Sequence, residues 1–192
     1  RSTLFPYTTL FRSALAMDPE FSSFNVLFER QLEPEVYSFR LLDALMKEAG
    51  RRGITSYPIH IKIDTGMHRL GFRPSDVREI CQRLEQQSSL VVRSVFSHLV
   101  GSDSPEHDEF TRGQIRLFTQ SAEALEAGLG YPVLKHILNS AGIERFTGHQ
   151  MDMVRLGISL YGISASVSEA KKLQPVSSLK TTILQIRDVP AG

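Results

Sequence analysis

Between Ile59 and Gly71 the chain sets a lysine, an aspartate and an arginine into what is otherwise a hydrophobic strand and its exit loop. Ile59, Ile61 and Ile63 alternate with His60, Lys62 and Asp64, the period of two that marks a strand. Thr65-Gly66 ends it, and Met67 to Gly71, with Arg69, leaves as a loop. A lysine and an aspartate on alternate positions of a core-type strand are seldom buried without partners. Two readings of that polar face stand. An open antiparallel sheet could show it to water. A parallel barrel would pack the isoleucines on outer helices and turn the polar side chains inward and up toward a site.

Other polar residues fall at the ends of apolar runs: His98, Asn139-Ser140 and Arg155. Strand exits are where a parallel barrel builds its active face, so the pattern favours a site without naming a reaction. Asn139-Ser140-Ala141-Gly142 opens a helix directly after a strand, and Arg155-Leu156-Gly157-Ile158 follows the last one. Free backbone N–H groups at such turns, with a serine hydroxyl, suit a phosphate. Asn and Ser also cap helices, and Gly makes turns, with no ligand at all. His98 by itself reads more readily as a satisfied core histidine than as a catalyst. His60 and His136 are expected to point inward as packing, and His107 and His149 to lie in exposed stretches. No His/Cys/Asp/Glu spacing matches a metal site. Gly-x-Ser-x-Gly, the P-loop and Gly-x-Gly-x-x-Gly are absent.

Strands and helices alternate around these residues. Ala14 to Met17 reads as a short strand before Asp18-Pro19. Phe24, Leu27 and Phe28 suggest a short helix, and Val36 to Phe39 the next strand. Leu41, Leu42, Leu45, Met46 and Ala49 recur at helical spacing up to Gly50 or Gly53. After the Ile59 strand, Ser75 is the expected N-cap of a helix carrying Val77, Ile80, Cys81 and Leu84 on one face. Leu90 to His98 is a strand. A polar loop, 101–107, leads to a long helix with Ile115, Phe118, Ala122, Leu125 and Leu129 in register, then Val133 to Ser140 and Met153 to Arg155 as strands. The alternation is that of βαβ units with a parallel sheet, six strands in all and two short of a closed eight-stranded barrel. Residues 164–172 read as a polar linker, and Val176 to Val189 as a long strand opening a further domain.

With 192 residues, 41% of them hydrophobic, the chain is long enough for one sizeable core. The formal net charge of +1 gives no electrostatic case for nucleic acid or an anionic membrane. One cysteine, Cys81, excludes an intrachain disulfide and suits a reducing, cytoplasmic setting. Cys81 is expected to pack in the core. No apolar run approaches membrane-spanning length. At the start, Thr3 to Ser13 resembles the translation of a short-read sequencing adapter, so residues 1–13 are expected to be an artefact joined to the chain.

Three runs, taken together, resemble one family. Ile61-Lys62-Ile63-Asp64-Thr65-Gly66-Met67-His68-Arg69-Leu70-Gly71 is similar to the central motif of alanine racemases. His136 to Ile143 and Met151 to Gly162 resemble two more of its motifs, in the family's order. Leu173 to Thr181 resembles the entry to its C-terminal β domain, and Leu32 to Phe39 is similar to Bacteroidetes-type versions, often fused to a Mur-type ligase. The resemblance implies an incomplete TIM (β/α)8 barrel, about strands 3–8, over 14–163, followed over 164–192 by a linker and the first strand of the β domain. It implies pyridoxal 5′-phosphate as cofactor, alanine as substrate and a homodimer. Lys62 would be the lysine often found carbamylated, its new negative charge paired with Arg69. Arg69 would meet the cofactor's phenolic oxygen and the substrate carboxylate. His98 would lie beside the ring and help hold Arg155, and Arg155 would donate to the pyridine nitrogen. Ser140, Gly157 and Ile158 would hold the phosphate, with Asn139 lining the same pocket.

The departures are as informative. The family's Schiff-base lysine lies on a first barrel strand that this chain lacks, and its catalytic tyrosine lies in the C-terminal domain. Lys62 belongs to a different motif and does not replace that lysine. His68 and Leu156 stand where many members have Gly and Pro. The chain is therefore expected to be an inactive central piece of an enzyme that interconverts L- and D-alanine for peptidoglycan. Related readings on the same scaffold are another fold-type III racemase or decarboxylase, and a non-catalytic domain that binds the cofactor.

Overall fold

The computed structural model describes residues 15–17, 19–164, 170, 172–176, 178, 180–182 and 184–188. The adapter-like stretch therefore lies outside the described residues, as does most of the expected 164–172 linker. Strands β1 (Leu15–Ala16), β2 (Glu33–Val36), β3 (Tyr57–Lys62), β4 (Leu90–Phe96) and β5 (Leu134–His136) form one sheet in that order, and every pairing is parallel. Helices α1 (Phe24–Glu29), α2 (Phe39–Arg51), α3 (Val77–Glu85) and α4 (Asp108–Leu129) make the crossovers, and α5 (Ser140–Arg145) follows β5. Sequential parallel strands joined by helices are the arrangement of part of a β/α barrel. The antiparallel reading of the Ile59 strand is thereby excluded.

Hydrophobic alternation sorts the two faces of the sheet. Ile59, Ile61 and Ile63 have no exposed surface and pack with Leu41, Leu42, Leu45 and Ala49 of α2 and with Ile80 of α3 in one core. Burying each such side chain contributes about 1.5–3 kcal/mol. Between them, His60 and Lys62 face the other way and are also buried.

Several boundaries shift for local reasons. The second strand is Glu33–Val36 rather than Val36–Phe39, because the Ser38 hydroxyl accepts from Leu41 N (3.3 Å) and so caps α2. Ser75 does not cap α3. Pro74–Asp76 forms a 3-10 turn instead, and the Asp76 carboxylate accepts from Arg73 N at 2.8 Å. Met153–Arg155 is not a strand. It runs beside β5 through two backbone bonds, Asp152 N to Lys135 O (3.2 Å) and Arg155 N to Leu138 O (3.0 Å). The Asp152 side chain accepts from Lys135 N, taking a donor that a strand ladder would use. The described residues from Val176 to Asp188 are also not a strand. Val176, Leu184 and Ile186 are mostly exposed, with no ladder to join.

Candidate functional site

The loop after β3 is built on Asp64. Its Oδ1 accepts from the backbone N–H groups of Gly66, Met67 and His68 at 3.0, 3.0 and 3.1 Å. Burial pushes its carboxyl up, but those three donors and His68 more than offset this, leaving it below its ordinary range. The loop returns to the sheet when Phe72 N donates to Lys62 O and Asp64 N to Phe72 O, both at 2.8 Å. Gly71 makes this possible. Its φ is +139°, and a Cβ there would lie 2.5 Å from Asp64 N. Arg69 rides on this loop, exposed, in the cleft beside Asp64 and Leu70. Gln114 of α4, buried, ties the loop to its neighbour. It donates to Thr65 Oγ1 (3.4 Å) and His98 O (3.2 Å), and accepts from Val100 N (3.1 Å).

A cavity of about 490 Å³ opens at the strand exits, lined by His98, Asn139, Ser140, Gly157, Ile158 and Ser159 among others. Its volume is that of an ordinary small-molecule pocket. Ser140 Oγ accepts from Gly157 N (2.9 Å) and Ser159 N (3.2 Å), so one hydroxyl and two backbone donors converge at its wall. Sequence reading named Gly157 and Ile158 for a phosphate; on Ser140 the second amide is that of Ser159. Asn139 lines the cavity and also caps α5. Its Oδ1 accepts from Gly142 N (3.0 Å) and from the Ser102 hydroxyl (2.7 Å), and its Nδ2 donates to Leu99 O (3.2 Å).

Arg155 lies behind the cavity and is locked in place. It donates to His136 Nδ1 and to the carbonyls of Ser97, His136 (3.2 Å) and Ile137 (3.2 Å). Its guanidinium sits 5.2 Å from the centroid of Phe96, on which the His136 ring stacks at 4.9 Å. The ring nitrogen that accepts from Arg155 is that of His136, the last residue of β5; His98, expected to help hold Arg155, lies two residues past β4 on the cavity wall. Burial brings Arg155 down to about 10, with Glu35 opposing the shift.

His136 begins a buried chain that the sequence reading took for packing. An arginine always donates, so His136 Nδ1 accepts, and its Nε2–H donates to Ser94 Oγ (3.1 Å). Ser94 then donates to His60 Nδ1 (2.6 Å), and His60 Nε2–H to Glu33 (2.8 Å), which also accepts from Arg93. Both imidazoles are neutral in this assignment. Burial, followed by Arg155 and His60, takes His136 down to about 3. His60 is lowered by burial against the pull of Glu33. His98 is brought down to about 4 by burial, then by Arg155, Arg69 and Lys62.

Lys62 is paired with Glu35. The Nζ–Oε1 distance is 2.6 Å and both side chains are buried. Neither Glu35 oxygen has a partner of hydrogen-bond geometry, so this is a charge contact. Glu33 and Glu35 are buried acids behind the site that sequence reading passed over. The alternation Glu33-Pro34-Glu35-Val36 carried the signal, since it sets two carboxylates on the same side of a buried strand.

Comparison with known proteins gives the family. Residues 13–165 match the family model described as alanine racemase, N-terminal domain. Alanine racemase 1 of Oceanobacillus iheyensis is 39% identical over 158 residues, covering 81% of this chain and 42% of that protein. The alanine racemase of Desulfovibrio desulfuricans is 32% identical over 176 residues, covering 91% and 46%. Among solved structures, alanine racemase of Clostridium difficile 630 in complex with cycloserine superposes with a TM-score of 0.73 at 29% identity, covering 82% of this chain and 44% of that one. The chain thus spans less than half the length of these relatives. On the family model and these identities, the chain belongs to the alanine racemase N-terminal domain family.

Proposed function

We propose that this chain is the cofactor-binding part of a pyridoxal-phosphate-dependent alanine racemase, an isomerase interconverting L- and D-alanine in the cytoplasm for peptidoglycan synthesis. The observation that carries the reading is the wall where Ser140 Oγ, Gly157 N and Ser159 N converge. The fit to the cofactor is good. The two amides now satisfied by Ser140 can turn to phosphate oxygens, and the hydroxyl is then free to donate to the same group. Ile158 and Asn139 line the space around it.

When bound, pyridoxal phosphate supplies an electron sink for the pair left on Cα as its proton departs. Arg155, fixed by His136 and three carbonyls, is a permanent donor for the ring nitrogen and brings no proton to give up. Such a donor tempers the sink, which suits a simple inversion rather than side reactions. His98, neutral, adds no further charge beside Arg155. Arg69, on the loop braced by Asp64, offers its fork to the substrate carboxylate. Lys62 has a structural place behind the site. In this reading the lysine and tyrosine that move the protons belong to other parts of a homodimeric enzyme.

The test is racemisation of L-alanine in D2O by the whole protein, reading D-alanine and deuterium at Cα. D-Alanine bearing deuterium, with L-serine and L-lysine much slower, is expected. Faster lysine or serine turnover, or decarboxylation, would assign the scaffold to another reaction.

A further inference from the structure

Three cations, Lys62, Arg69 and Arg155, act on the same ring, His98. A partly buried positive cluster of this kind calls for an anion. Lysine can supply one itself. A neutral amine attacks CO2, an N–C bond forms, the C–O π pair moves to oxygen, and the amine proton passes to water, leaving a carbamate. A carboxylate side chain is the other source, and here one is in place. Glu35 is wholly buried on the neighbouring strand, with Oε1 2.6 Å from Lys62 Nζ. Glu33, the other acid on that strand, is taken up by His60 and Arg93.

We propose that Glu35 is a built-in counter-anion that keeps Lys62 a free ammonium, so that Lys62 in this chain is not carbamylated. A CO2 unit on Nζ would bring its oxygens against the Glu35 carboxylate, setting two anions in contact away from water. Arg69, the partner expected for a carbamate, is exposed in the adjoining cleft. The Glu35 carboxylate is also the anion opposing the effect of burial on Arg155, so one side chain balances two cations behind the pocket. The inference does not rest on the cofactor reading, because it is tested with neither cofactor nor substrate present.

The experiment equilibrates the full chain with 13C-bicarbonate, records the 13C carbonyl spectrum, and traps carbamates with a trialkyloxonium reagent for peptide mass spectrometry. Wild type is expected to carry no label on Lys62, and Glu35→Gln to carry near-stoichiometric label there. If Glu35→Gln does not fold, Glu35→Met, equally uncharged, is read the same way, with label expected above wild type. Label on Lys62 in wild type, or none in the folded variant, overturns the proposal.

Discussion

At the scale of single residues, Ser140 bears most directly on the pocket. Ser140→Ala removes the hydroxyl shared by Gly157 N and Ser159 N. A hydrogen bond to a charged group is worth about 1.5–3 kcal/mol, so pyridoxal phosphate should bind roughly ten- to a hundredfold more weakly to the variant. Titration by cofactor fluorescence checks this. The histidines set a pH dependence. Held at about 4 and about 3 in the folded chain, His98 and His136 take up protons near 6.5 once unfolded. Their contribution to stability is complete above about 6.5 and is lost as pH falls from there through the folded values. Urea midpoints should therefore drop between pH 6.5 and pH 5, and His136→Gln should flatten that slope. The Lys62–Glu35 pair makes a third prediction. Breaking a buried pair from one side costs about 3–5 kcal/mol, whereas removing both charges can be neutral. Lys62→Met alone should destabilise the chain more than Lys62→Met with Glu35→Leu, as measured by urea unfolding.

At the scale of elements, the loop after β3 joins sequence to site. His68 has φ +54°, a left-handed conformation that glycine adopts without strain. His68→Gly should thus leave thermal stability unchanged or raise it by up to about 1 kcal/mol. Gly71→Ala meets Asp64 N and should lower the melting temperature by several degrees. The β3 motif was legible because period-two alternation leaves no other way to bury three isoleucines. The cap at Ser38 was not, because Val36-Tyr37-Ser38-Phe39 has the composition of a strand and only the Ser38–Leu41 bond decides otherwise. Glu35 was hidden for a related reason. Pro34 beside it argues against a central strand, yet β2 pairs on both sides and buries both acids. The role of His136 depended on a stack with Phe96 and a bond from Arg155, each remote in sequence. The expected strand after Val176 had the right residues, but strand propensity needs a partner ladder to act on.

At the scale of the whole molecule, the parallel sheet brings the exits of β3, β4 and β5 to one end, and there the cavity opens. Among the described residues, no helix is long and apolar enough to cross a membrane. The chain covers less than half of each relative cited, and in the proposed reading the proton-moving groups lie elsewhere in the enzyme. The 192-residue chain by itself should give no racemisation above buffer. A chiral assay of alanine checks this, and measurable turnover would show that residues within the chain move the proton. The most direct test of the central claim is to titrate the chain with pyridoxal phosphate and follow its backbone amides by NMR. The account predicts that the Gly157 and Ser159 amides shift first and most, and that Ser140→Ala suppresses those shifts. Shifts confined to another surface, or none at saturating cofactor, would contradict it.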